Sequence, residues 1–241
     1  GRSDNAVAKL EKIAKGVEIA VGDILDKESL KAAMHGCHSL IVVTSAVPKL
    51  KKREIFKLLL FKMIGRTRTP RFYYDEMPEQ VDWMGLKNQV DVAKELGLKF
   101  VVVVGSMGVS PKRNTPDAFL NRMGDGNILV WKAKGETYLA ESGLPYCIVH
   151  AGGLTDGPEG LRELVFGVCD DHDVYAEMGA TKFVTRADVS IAAIEALRHK
   201  DAAAGVQFDI ISKDPVEGQP AKEVDWAGVF LNLKLNVPAD K

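Results

Sequence analysis

Cysteine is scarce in this chain of 241 residues, and the three present, Cys37, Cys147 and Cys169, are odd in number and far apart. With no CxxC pair, neither a disulfide framework nor a cysteine zinc site is expected. His35 and His38 flank Cys37 at a spacing that matches no metal motif, so no metal site is predicted. An excess of either charge is also lacking. The formal net charge is −1, which gives no global field for nucleic acid. No run of about 18 apolar residues occurs, so no spanning helix is expected. No glycine-rich GxGxxG turn occurs either. The chain opens on Gly1 rather than Met, without a signal-like segment, so residues upstream of Gly1 are expected to have been processed, trimmed or left out. Unpaired thiols fit a reducing compartment, and an intracellular soluble protein is expected.

What is present is an alternation of apolar runs and helical patterns. The runs are VEIAV (17–21), SLIVV (39–43), FVVVV (100–104), YCIV (146–149) and VQFDI (206–210). They are continuously apolar rather than alternating, which marks strands buried on both faces. Helical patterns fill 27–35, 79–96, 127–141 and 186–198. Gly36 and Gly97 stand at the stops of the first two. This order predicts an α/β fold with a doubly wound parallel sheet. Ligands on such sheets bind at the carboxyl ends of the strands. Small and polar residues lie at those ends: Asp23, then Thr44, Ser45 and Ala46, then Ser106 within GSMG, then Ala151, Gly152 and Gly153.

Residues 49–71 break the pattern with nine basic residues and one acid. Ile55, Phe56, Leu58, Leu59, Leu60, Phe61, Met63 and Ile64 cover most of a helix circumference, which calls for burial nearly all round. The first expectation is a helix folded over the domain as a lid. Docking of a partner protein through 49–71 comes second, and membrane contact last.

Several side chains invite chemistry, each beside a plainer role. Asp23 meets an adenine edge or caps a turn. Thr44, Ser45 and Ala46 admit a ribose or form a tight strand exit. Ser106 orients a substrate carbonyl or satisfies nearby backbone. Lys132 and Lys134 point about 200° apart on a helix, so at most one faces a cleft. Lys132 and Glu136 stand at i, i+4 and are placed to pair. His150 as a general base needs a partner that the sequence does not reveal, and it reads as a structural histidine. The run Asp170, Asp171, His172, Asp173 reads as a solvated loop rather than a metal site.

Together the blocks GDILD (22–26), VVTSAVPK (42–49), PEQVDWMGLKNQVDVAKELGLKFVVVVGSMG (78–108), NILVWKAKGETYLAESGLPYCIVHAGGL (127–154) and TRADV (185–189) resemble the atypical short-chain dehydrogenase/reductase superfamily. The likeness is to NmrA-like NAD(P)-binding proteins of the plant and algal type, and it covers most of 1–212. It implies a Rossmann-like dinucleotide-binding domain over 1–154 with 186–212, lacking the N-terminal glycine-rich βα unit. A small substrate lobe and tail would take 155–185 and 213–241. It also implies an NADP-type site. Arg2 and Ser3 would meet the adenosine 2′-phosphate, and Asp23 and Ile24 would border the adenine. Thr44, Ser45 and Ala46 would line the adenosine and ribose. Lys132 would bind the nicotinamide ribose, Ser106 would stand near the nicotinamide, and Ala151, Gly152, Gly153 and Leu154 would contact the carboxamide.

The chain departs from that pattern in three places. The family's YxxxK motif needs a tyrosine at 128, where Ile128 stands, so the proton donor is unidentified. Relatives tend to carry arginine where this chain has His150. The first strand and its phosphate loop are absent, which removes the amide cradle for a pyrophosphate. If the chain is complete, NADP binding is expected to be weak or absent. The implied activity is hydride transfer to a small carbonyl or conjugated substrate. Its alternatives are a non-catalytic subunit docking through 49–71 and an NADP redox sensor, with the cytosol or plastid stroma as the compartment.

Overall fold

A computed structural model describes residues 4–66, 70–168, 170, 172–214 and 222–235. The strands in chain order are β1 (Ser39–Val42), β2 (Lys49–Leu50), β3 (Phe72–Tyr73), β4 (Phe100–Ser106), β5 (Tyr146–Ala151), β6 (Gly153–Thr155), β7 (Leu164–Gly167), β8 (Phe183–Thr185) and β9 (Val206–Ser212). The main sheet has the order β1-β4-β5-β9-β7. Its first four strands are parallel, and β7 closes the edge antiparallel to β9. The short strands β2 and β3 form an antiparallel pair, and β6 and β8 a parallel one.

The apolar runs are continuous because both faces of the sheet are covered. Val102, Cys147, Val149, Phe208 and Ile210 face one core with residues of α8 (Arg186–Arg198) and α10 (Trp226–Leu235). Val101, Val103 and Ile148 face the other with α2 (Lys27–Met34) and α4 (Leu86–Glu95). Caps set the helix ends. Asp26 accepts N–H bonds from Glu28 and Ser29 at the start of α2, and Thr185 accepts from Asp188 at the start of α8. Gly97 takes φ +70° after α4, a conformation that a side chain would strain, and the Leu98 N–H donates to the Ala93 carbonyl.

Several expectations are corrected. Residues 17–21 form no strand, and Val17 and Val21 are 63 % and 58 % exposed. Apolar composition alone does not make a strand, and none of the sheets formed by the described residues includes 17–21. The helix expected over 79–96 begins as a π-helical turn, Glu79–Gly85, before becoming α4. The 49–71 segment folds as α3 (Lys52–Met63), but not as a lid: its one fully buried residue is Glu54. Parts of 155–185 and 213–241 pack with the sheet. Strand β7 extends the sheet, and Phe230 of α10 is fully buried in an aromatic cluster with Phe166, Phe208 and Trp226.

Candidate active site

The functional side chains gather where β1, β4 and β5 end. Helix α6 (Ile128–Glu141) carries Lys132 and Glu136. Its N-terminus is held remotely, because the buried Asn121 side chain accepts the Leu129 N–H at 2.9 Å. Gly135 lets α6 approach the π-turn: a Cβ there would come within 2.7 Å of the Asp82 carbonyl oxygen. The π-turn in return presents Asp82, 3 % exposed, to the centre. Lys132 Nζ sits 2.7 Å from Asp82 Oδ1, a charge contact outside hydrogen-bond alignment, and the other Asp82 oxygen accepts the Ala46 N–H at 3.1 Å. One buried carboxylate therefore fixes both the lysine and the loop after β1. Lys134, on the other side of α6, stacks its ammonium over the Trp83 ring at 4.4 Å. The expected i, i+4 pairing of Lys132 with Glu136 gives way to these longer-range partners.

Glu136 instead meets His150 and is the partner that the sequence does not reveal. His150 is the last but one residue of β5, 8 % exposed, with Nε2 3.0 Å from Glu136 Oε2 and Nδ1 3.4 Å from Asp209 Oδ1. Burial works to push the imidazole's pKa down, but the Glu136 and Asp209 carboxylates outweigh it and raise the value to about 10. The ring is a buried cation at neutral pH. The fold thus sets one positive charge between two carboxylates. Gly105 makes room for the pair, since a Cβ there would stand 2.4 Å from Glu136 Oε1 and 3.1 Å from His150 Cδ2.

Asp209 extends the network into the loop expected to be solvated. Its second oxygen accepts the Asp170 N–H at 2.7 Å and the Tyr175 hydroxyl at 2.6 Å. Asp170 is 1 % exposed, holds a left-handed φ of +56°, and accepts the N–H groups of Gly108 and Ser110 at 2.5 and 2.9 Å. It clamps the loop that follows β4. No group of acidic, histidine or cysteine side chains among the described residues is arranged to hold a metal.

A cleft of about 720 Å³ opens beside this network, lined by Val109, Ser110, Ala133, Thr137, His150 and Gln207 among others. The hydroxyl of Ser106 donates to the Met107 carbonyl at 3.0 Å, the local role that serine often takes. Ser110 is the serine that lines the cleft, and its buried hydroxyl has no hydrogen-bond partner. Tyr74 is a second residue missed in sequence. Its ring packs against the cluster of Ala46, Val81, Val109, Ile128 and Leu129, and its buried hydroxyl also lacks a partner. Burial, then the Asp82 charge, raises the phenol's pKa, so it keeps its proton. An unpartnered buried hydroxyl is the signal in both cases, and only the fold reveals it.

Of the sequence-predicted residues, Arg2 and Ser3 lie outside the described residues. Asp23 accepts the Leu25 N–H and forms a turn, and Asn88 donates to the Ile24 carbonyl. Thr44 accepts from Gln89, and the Ser45 hydroxyl donates to the Ala46 carbonyl. Ala151 pairs in register with Ser106, which brings those two together. The Gly152 and Gly153 N–H groups donate to the Ile210 and Lys182 carbonyls, and Leu154 is 43 % exposed on β6. The crevice between Thr44, Asp82, Gly105, Lys132 and Glu136 measures about 10 Å³, room for about one water. Its donor set nevertheless suits the ribose and nicotinamide half of a dinucleotide. Lys132 is an ammonium free to donate once it leaves Asp82, and Glu136 Oε1 is a buried acceptor without a partner. Among the described residues no glycine-rich βα turn offers amides to a pyrophosphate.

A family model described as NAD(P)H-binding matches residues 2–200. The chain is 44 % identical over 240 residues to sanguinarine reductase of Eschscholzia californica, covering 94 % of this chain and 83 % of that protein. It is 43 % identical over 225 residues to a chloroplastic protein of Arabidopsis thaliana, covering 92 % of this chain and 63 % of the other. The fold is similar to that of a putative NAD-dependent epimerase/dehydratase from Bacillus halodurans, with a TM-score of 0.62 at 19 % identity, over 96 % of this chain and 85 % of that one. No helix among the described residues is long and apolar enough to cross a membrane.

Proposed function

Because the chain belongs to the NAD(P)H-binding family, in its atypical short-chain dehydrogenase/reductase form, we propose that it is a reductase that uses NADPH to reduce a small carbonyl or conjugated substrate seated in the cleft beside His150. The observation that carries this reading is the mostly covered Lys132 ammonium, held by the buried Asp82 beside the ends of β1 and β4. A reduced nicotinamide bound there would supply the hydride. Lys132 leaves Asp82 to hold the ribose hydroxyls. Thr44, Ser45 and Ala46 border the adenosine side, Asp23 and Ile24 the adenine, and Ala151 to Leu154 the carboxamide. Ser106 stands at the nicotinamide, while the unpartnered Ser110 hydroxyl orients the substrate. Tyr74, packed against Ile128 and protonated, supplies the phenol that position 128 lacks.

With Glu136 and Asp170 lining the cleft beside the His150 cation and Asp209 buried behind it, carboxylates are in excess there, which favours substrates that are neutral or cationic over anions. The chloroplastic relative supports the plastid stroma as the compartment. The test is NADPH and NADH oxidation by the purified protein, first with sanguinarine, after the relative named for it, and then with a carbonyl panel. NADPH-dependent turnover that Lys132→Ala abolishes is the expected result. Absence of dinucleotide binding in the wild-type protein, or turnover unchanged in Lys132→Ala, would sink the reading.

A further inference from the structure

Helix α3 stands outside the site and has no role in the reductase chemistry. At 100° per residue, Ile55, Phe56, Leu59, Leu60 and Met63 fall within an arc of about 140°, and Ile64 widens it to about 180°. All six are exposed, between 46 and 84 %. The opposite side, Glu54, Leu58 and Phe61, is the one turned toward the body of the protein. Exposed cations line both edges of the apolar arc, Arg53 and Lys57 on one and Lys51 and Lys62 on the other. Lys52 and Arg66 stand at its two ends. The one acid, Glu54, is 4 % exposed on the inward side with Lys57 Nζ 3.6 Å away, so the outward face carries no negative charge.

We infer that α3 is an in-plane docking helix for an anionic lipid bilayer surface. Its apolar arc would sink to the acyl boundary, while the flanking lysines and arginines extend their stems along it to reach the headgroups. Charge decides the occupant. A second copy of the helix would bring six basic residues against six, with no acid on either face to offset them. An occupant must therefore be anionic. A half-circumference apolar face with cations along both edges fits a fluid, laterally continuous surface. A protein groove takes a narrower stripe of anchors. The net charge of −1 shows that the attraction is local to this segment rather than a property of the whole chain.

The test is co-sedimentation of the full chain with mixed phosphatidylglycerol–phosphatidylcholine vesicles and with pure phosphatidylcholine vesicles. Partition onto the anionic vesicles is expected to be at least about tenfold stronger, and to weaken with salt. The double variant L59D/M63D places two carboxylates on the exposed arc, where no folding contact is lost. It should cut anionic-vesicle binding at least about tenfold while leaving the melting temperature and dinucleotide binding unchanged. Equal sedimentation with and without anionic vesicles would overturn the inference, as would L59D/M63D binding like the wild type. A wild-type dimer that L59D/M63D converts to a monomer would reassign α3 to self-assembly. Capture by an acidic protein without any vesicle binding would reassign it to that partner.

Discussion

Replacing His150 by leucine is the sharpest test of the buried charge network. The imidazolium stands between Glu136 and Asp209, which raise its pKa to about 10 against the opposing effect of burial. Leucine removes the cation and leaves two buried carboxylates near each other. Glu136 Oε1 and Asp209 Oδ1 already lack hydrogen-bond partners. Stripping one partner from a buried ion pair costs about 3–5 kcal/mol. For a protein of this size that corresponds to a drop in Tm of roughly 6–20 °C. Arginine at the same position keeps the charge, and the 720 Å³ cleft gives the longer side chain room. The pH dependence then separates the two cations. The folded pKa lies above the unfolded value, so the histidine's contribution is complete below about pH 6.5. It declines by up to about 1.4 kcal/mol per pH unit until it is lost through pH 10. A guanidinium does not titrate in that window. Urea unfolding from pH 6 to pH 10 should therefore show wild-type stability falling relative to His150→Arg, with His150→Leu low throughout. If His150→Leu unfolds with the wild type at pH 7, or wild type and His150→Arg give parallel pH curves, the imidazolium is not what holds these carboxylates.

Other substitutions probe the neighbouring parts. Gly105→Ala sets a methyl 2.4 Å from Glu136 Oε1 and should cost about 1–3 kcal/mol in chemical denaturation, with the glutamate displaced. Asp82→Ala strands the Lys132 ammonium and the Ala46 N–H, and should cost about 3–5 kcal/mol. Adding Lys132→Met should recover part of that loss, and a double-mutant cycle with no coupling would contradict the pair. Tyr74→Phe removes a buried hydroxyl that has no partner, so stability should hold or rise by up to about 1 kcal/mol, while kcat falls if the phenol donates the proton. A lowered Tm with unchanged kcat would make Tyr74 a structural residue.

Periodicity and end signals carry the parts of the fold that are local. The valine run at 101–104 can only be a strand buried on both faces. Thr185 with Asp188 starts α8 where the pattern places it, and Gly97 stops α4. What failed was non-local. Residues 17–21 have the composition of a strand, but composition does not say whether a segment joins a sheet, and this one is in none of the sheets of the described residues. The outward turn of α3 was hidden for a related reason: apolar residues all round a helix state a demand for burial, not where it is met. The Asp170 clamp was unreadable because an acidic run looks solvated until the fold brings two backbone N–H groups onto one of its carboxylates.

The histidine network was closer to legible than it first looks. An aspartate in the middle of VQFDI sits in a strand otherwise buried on both faces, where an unpaired carboxylate is costly. His150 ends another such run. Parallel register places His150 directly beside Asp209, and α6 then only has to present Glu136 from the helix that precedes β5. Two adjacent buried strands each carrying one ionisable residue make a pairing the economical solution. Position 150 therefore specifies a charge before it specifies a residue. Choosing histidine over arginine leaves the charge in place at neutral pH and makes it removable in alkali, with the Asp170 clamp on the loop after β4 wired to it through Asp209.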